Sequence, residues 1–320
     1  MKQATHTSWK RKPPRILKWG LVGVLLSSLM LLGASFAQPS PKKDGLRIFL
    51  SVDMEGVTGV VTPNQLTPDG NDYQQARLVM TNEVNAAIAG ARKAGATEFV
   101  IADSHGNFQN LLIDKLPKDV KLVRGTTRPL IMMDGIDDGK FDGVMFIGYH
   151  AGAESLAGVR AHSFSSAAVS DLKINGVAAS EGYLNAAIAG AFNAPVILAT
   201  GDNVAVAELR PVAKTAELVA VKRALSFHAA ETLMPEAAYE LIEKASERAV
   251  KGLGKATPFR IDGPITVDLT THFYQPVELL SWLPNIQRTG ARSVRYTSKD
   301  VVEATKFLAF IFAYNFNLQP

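Results

Sequence analysis

"RIFLSVDMEG", Arg47 to Gly56, begins as a buried strand and ends in acid. Ile48, Phe49, Leu50 and Val52 form a nearly continuous apolar run, the pattern of a strand covered on both faces. Side chains of a strand alternate, so Asp53 and Glu55, two residues apart, share a face. Two carboxylates placed together at an apolar edge repel each other and lose hydration. Some positive charge has to balance them.

Similar runs recur outward from this strand. Strands are expected at 47–53, 97–102, 120–123, 143–149 and 195–199, with helices at 72–94 and 181–193 between them. This βαβ alternation predicts an α/β fold, a mostly parallel sheet covered by helices on both faces. "NAAIAGA" occurs twice, at Asn85–Ala91 and Asn185–Ala191. Two copies do not make a solenoid, so the repeat reads as small residues that let a helix pack close to the sheet. From about 203 the pattern changes. Residues 204–252 read as mainly helical, broken near "LMPEAA". Strands at 264–273 and 292–298 and a helix at 299–314 follow, giving a smaller C-terminal α+β lobe. The expected organisation is a signal peptide at 1–37, a linker at 38–46, a metal-binding α/β catalytic domain at 47–202 and the smaller lobe at 203–320.

The formal net charge of +4 belongs to the N-terminus. Lys2, Lys10, Arg11, Lys12, Arg15 and Lys18 lie there without one acid; without these six, 28 basic residues face 30 acidic ones, a net of −2. A nucleic-acid partner is therefore not expected. The basic stretch precedes "LVGVLLSSLMLLGASFA" (Leu21–Ala37), which ends in small residues, the form of a secretory signal cleaved after Ala37. The reading is an exported protein, periplasmic or extracellular, with no stable membrane partner once the signal is cleaved; an uncleaved anchor is the alternative. There is no Cys, hence no disulfide, lipid-anchoring thiol or thiolate ligand.

Ligands of open α/β sheets bind past the carboxyl ends of the strands. Three expected strands end there in polar residues: Asp53-Met54-Glu55-Gly56, "DSHG" with His105, and "GYHAG" with His150. "SEGYLNAAIAGA" adds Glu181 at a helix start, where the helix dipole favours an acid. Carboxylates and imidazoles without thiols suit zinc or manganese, and this many can hold a metal pair. Divalent charge turns the repulsion of Asp53 and Glu55 into coordination.

"SVDMEGVTGVV", "EVNAAIAGARKAGA", "DSHG", "GYHAG" and "NGVAASEGYLNAAIAG" together resemble the D-aminopeptidase family of zinc metallopeptidases, peptidase family M55, over residues 47 to 260. The resemblance implies two Zn2+ per chain. Asp53 would bridge them, Glu55 and His150 would complete one metal, and His105 and Glu181 the other. His162, in "GVRAHSFS", matches the family's catalytic histidine. The resemblance further implies a small peptide substrate with an N-terminal D-residue, of the D-Ala-D-Ala type, and a homo-oligomer, ring-like in form. The chain departs from the family in its export signal, in Ser226-Phe227 where relatives carry Gly-Arg, and in the apolar tail "FLAFIFAYNF" (Phe307–Phe316), a buried helix or an oligomer contact.

Two other functions fit parts of the pattern. "DMEGVTGVV" faintly resembles the strand end of aspartate-nucleophile phosphatases, a reading that leaves the histidines idle. An exported peptide-binding protein could use the same cleft without catalysis or metal. His228, expected in a helix, and His272, near a strand end, read as packing or surface residues. "RGTTRP" (Arg124–Pro129) reads as a surface loop in preference to a carboxylate site.

Overall fold

A computed structural model describes residues 45–314, which fall within one compact unit. The expected signal peptide and all but the end of the linker lie outside the described residues. In chain order the elements are β1 (Leu46–Val52), α1 (Tyr73–Lys93), β2 (Ala96–Asp103), β3 (Lys121–Val123), β4 (Gly143–Tyr149), β5 (Val169–Ile174), β6 (Val177–Ala178), α2 (Glu181–Ala191), β7 (Val196–Asp202), α3 (Asn203–Leu209), β8 (Glu217–Ser226), β9 (Ala229–Thr232), α4 (Pro235–Lys251), β10 (Ile265–Thr271), α5 (Tyr274–Leu280), β11 (Ile286–Gly290), β12 (Ser293–Ser298) and α6 (Val301–Ala313).

Seven strands form one sheet in the order β3-β2-β1-β4-β7-β8-β9. It is parallel except for β9, which returns antiparallel to β8. Five strands form a separate antiparallel sheet, β11-β12-β10-β5-β6. Alternation along β1 divides the core between two faces. Ile48, Leu50 and Val52 pack with Met80, Val84 and Ile88 of α1 and Ile242 and Ala245 of α4. Phe49 points the other way, into a core shared with Phe146, Leu184 and Ile188 of α2, Leu209 of α3, and Leu172, Val267 and Leu269 of the second sheet. Both faces are thus covered, which is why the central strands read as continuous apolar runs.

Three expectations need correction. Residues 204–252 are not mainly helical: β8 and β9 lie between α3 and α4. Ala, Lys and Arg in "ELVAVKRALS" suit a helix locally, but pairing with β7 outweighs that preference. His228 accordingly sits in the exposed turn between β8 and β9. The glycine of the first "NAAIAGA" serves a helix and not the sheet, since a Cβ on Gly90 would overlap the Glu243 carbonyl of α4, while Ala87 and Ala91 lie in the core that β1 shares. The expected boundary near 203 does not separate the sheets. β8 and β9 join the parallel sheet from beyond it, and β5 and β6 join the antiparallel sheet from before it.

Candidate active site

β1 lies between β2 and β4, and the chain fills the sheet in opposite directions from it, β2 and β3 to one side, β4 and β7 to the other. Such a reversal opens a crevice past the strands' carboxyl ends. Val52 pairs with Asp103 on β2 and with Ile147 on β4, so Asp53, His105 and His150 each follow within a few residues of the same level. The two central loops are stitched together: Asp53 N–H donates to the Ile147 carbonyl at 2.8 Å and Gly56 N–H to the Gly148 carbonyl at 2.7 Å. Gly148 holds φ at +72°, and a Cβ there would overlap the Asp53 carbonyl; glycine alone allows this approach. Glu181 arrives at the first turn of α2, whose N-cap Ser180 accepts from Tyr183 N–H at 3.2 Å. His162 comes from the loop after β4. Arg160 and Phe164 on either side of it hold φ at +54° and +62°, left-handed conformations that cost roughly 1–3 kcal/mol each.

All six expected site residues converge. Asp53, Glu55, His105, His150 and Glu181 are buried. His105 Nε2–H donates to the Leu66 carbonyl at 2.8 Å, and His150 Nδ1–H to the Ala151 carbonyl at 2.9 Å. Each bond turns the other ring nitrogen towards the carboxylates, as in metal-ligating histidines. His105 Nδ1 lies 3.0 Å from Glu55 Oε2 and 3.5 Å from Asp53 Oδ1. His150 Nε2 lies 3.3 Å from both Asp53 Oδ2 and Glu181 Oε1. Asp53 Oδ2 is buried without a hydrogen-bond donor. Ring nitrogens therefore face carboxylate oxygens at 3.0–3.5 Å, an arrangement held together only by positive charge, from a proton on the ring or from a metal ion.

The electrostatics agree. Burial, reinforced by Glu55, raises Asp53. Burial also works against charge on Glu55 and Glu181, but His105 and His150 respectively outweigh it and lower both. Burial opposes charge on the imidazoles too, yet Glu55 lifts His105 and Glu181 lifts His150 well above their usual range. Three buried carboxylates thus draw positive charge into this place, and the donor set of oxygen and imidazole nitrogen fits zinc. Two groups of possible ligand atoms lie within 4.8 Å of one another: Asp53, Glu55 and His150, and His150, His162 and Glu181. The first is the set implied for one ion. The second contains His162, while His105 rests against Glu55 and Asp53.

His150 and His162 stack, their ring centroids 4.1 Å apart and their planes 6° from parallel. The His150 side chain is 1% exposed, that of His162 12%. His162 borders a cavity of about 530 Å³, whose wall also includes Asp53, Glu55, His105 and Glu181. Leu269, Ile131 and Phe312 supply apolar wall. Phe312 belongs to the apolar tail and stacks on Phe164 at 5.1 Å; the tail is thus a half-buried helix through Ala313, and its last residues lie outside the described ones. Phe227 does not line the cavity. Its carbonyl accepts from Arg160 N–H at 2.9 Å, so the β8–β9 turn rests on the loop that carries His162.

Sequence reasoning missed the supports. Lys222 on β8 is buried, and its Nζ donates to the carbonyls of Glu55, Val57 and Val60 at 2.5, 2.9 and 2.5 Å. Glu83 on α1 accepts from Thr58 N–H at 2.9 Å, and Thr232 on β9 from Gly59 N–H at 2.8 Å. A lysine inside an apolar strand was the one available signal. Arg128 of "RGTTRP" is buried, not at the surface, while Arg124 is exposed.

The chain matches the D-aminopeptidase model of the M55 peptidases over residues 46–310. It is 32% identical over 260 residues to the D-aminopeptidase of Bacillus subtilis (strain 168), covering 81% of this chain and 94% of that protein. Its fold matches a solved structure described as "Zn-dependent D-aminopeptidase DppA from Bacillus subtilis, a self-compartmentalizing protease", with a TM-score of 0.79 and 31% identity, over 83% of this chain and 96% of that one.

Proposed function

Because the chain belongs to the D-aminopeptidase family of M55 peptidases, we propose that it hydrolyses the N-terminal D-residue from short peptides such as D-Ala-D-Ala, with two zinc ions held by Asp53, Glu55, His105, His150 and Glu181. The observation that carries this reading is the buried cluster of three carboxylates and two imidazoles in which Asp53 Oδ2 lacks a hydrogen-bond donor. Bound zinc supplies Lewis acidity and lowers the pKa of a coordinated water towards neutrality.

The chain's own groups do the rest. The two oxygens of Asp53 reach His105 on one side and His150 on the other, the position of a bridging ligand. The substrate's free α-amine would be held at this end of the cavity, by a metal or by a neighbouring acid. His162 Nδ1–H is held by the Arg160 carbonyl at 2.7 Å, so Nε2 carries the lone pair. From the cavity wall Nε2 accepts a proton as the carbonyl is attacked and hands it to the departing amine. With amine and carbonyl fixed, the direction of Cβ decides which enantiomer meets the wall.

The likeness to a self-compartmentalizing protease supports a homo-oligomer, ring-like in form. The N-terminal pattern supports export, with a mature chain starting at Gln38, and N-terminal sequencing of the exported protein tests that. The function is tested by elemental analysis together with rates on D-Ala-D-Ala and L-Ala-L-Ala, before and after chelation. Up to two zinc ions per chain and a D-preference of about a hundredfold are expected, the discrimination of a misplaced methyl worth roughly 3 kcal/mol. Full activity in metal-free protein would overturn the metallopeptidase reading. Equal rates on the two dipeptides would remove only the D-specific part.

A further inference from the structure

The cavity that holds the carboxylate–imidazole cluster is also lined by a cation that takes no part in it, Arg128. The residue is 6% exposed. Nη2 donates to the Asp103 carbonyl at 2.6 Å, and the guanidinium carbon sits 3.8 Å from the centroid of the Phe108 ring. Nε and Nη1 are buried and donate to nothing in the protein. Three N–H groups are therefore unused, a state that costs free energy in a desolvated place.

Asp134 and Asp103 lie near enough to favour this charge, but neither pairs with it directly. Among the described residues Arg128 makes no ion pair. The neighbouring Asp103 carboxylate is already engaged by Asn110 N–H, Leu111 N–H and the Asn110 side-chain amide. Burial pushes Arg128 down to about 10, which leaves it charged at neutral pH. Anchoring one carbonyl needs one donor, so a purely architectural role leaves the rest of the guanidinium unexplained. The fork geometry of arginine matches a carboxylate.

We propose that Arg128 binds the C-terminal carboxylate of a short peptide whose N-terminal residue occupies the carboxylate–imidazole cluster. The proposal rests on the peptidase reading and names its substrate class: di- and tripeptides with a free C-terminus. The invariant anion of such a peptide is that carboxylate. Arg128 lines the same cavity as the cluster and holds the carbonyl of Asp103, two residues ahead of His105, which places the guanidinium beside the site that a short peptide fills.

The test compares kcat and KM of the zinc-loaded enzyme on D-Ala-D-Ala and on the same dipeptide with a C-terminal carboxamide, for wild type, Arg128→Lys and Arg128→Gln. Wild type is expected to prefer the free acid at least tenfold, mainly through KM. Arg128→Gln is expected to bring the acid-to-amide ratio near one by raising KM for the acid, with Arg128→Lys in between. A wild-type ratio near one overturns the proposal without any variant having to fold. So does an Arg128→Gln enzyme that loses acid and amide turnover by the same factor, the signature of a structural role. Failure of wild type to cleave either compound sinks the peptidase reading, and the carboxylate site with it.

Discussion

The stacked rings of His150 and His162 differ in what they can reach. His150 is enclosed between Asp53 and Glu181, while His162 faces the cavity and lies 3.8 Å from Glu181 Oε1. His150→Ala is expected to lose both metal and activity. His162→Ala is expected to keep its metal and to lose turnover by about 10²–10⁴-fold, the usual worth of a general acid–base. Metal content and kcat of the two purified variants check this; an ion released from His162→Ala would make that residue a ligand. Glu83 behaves as a different kind of buried group. Burial lifts it from 4.5 to about 7, against the hydrogen bond from Thr58. The folded state therefore binds more protons than the unfolded one between these values, and stability falls as pH rises from about 4.5 through 7. The shift corresponds to about 3 kcal/mol. Glu83→Gln keeps an acceptor for Thr58 and abolishes the titration, so its urea-unfolding free energy should be flatter than wild type across that window; equal slopes would count against the assignment.

The loop after β1 is held from three elements at once, by Lys222 of β8, Glu83 of α1 and Thr232 of β9. Lys222→Met leaves three buried carbonyls without their donor, each worth roughly 1–3 kcal/mol, partly offset by removing a buried charge. A net destabilisation of about 3 kcal/mol and weaker zinc binding are expected. Urea unfolding and zinc titration would show it, and a variant that matched wild type in both would remove Lys222 from the site's support. The same elements mark where the sequence stops being legible. β1, β2, β4 and β7 announce themselves because both of their faces are covered. β5 buries only Val169, Leu172 and Ile174, in a spacing without clean alternation, and β8 carries helix-favouring residues. The strand-end ligands could be read because each follows its own apolar run. Lys222 and Arg128 could not, since their roles depend on partners far along the chain: Lys222 meets Glu55 across 167 residues and Arg128 meets Asp103 across 25.

At the scale of the whole molecule, the two sheets are interleaved along the chain. The parallel sheet receives β8 and β9 after the antiparallel sheet has received β5 and β6, and β5 pairs with β10. A chain ended at Asp202 would lack β8 and α4, which cover and extend one half, and β10, the neighbour of β5. Such a fragment is expected to be protease-sensitive and unable to bind zinc, whereas a chain of residues 45–314 should be compact; limited proteolysis distinguishes them, and a resistant fragment would show that the first sheet closes alone. Interleaving also sets a clock on synthesis. At about 5–20 residues per second, β5 exists for roughly 5–20 seconds before β10 has been made. During that interval β5 lacks its neighbour β10, and pairings this distant form slowly even in the finished chain. The antiparallel sheet therefore closes late, and until then the edge of β5 that β10 will cover stays open to any binder of unfinished chains.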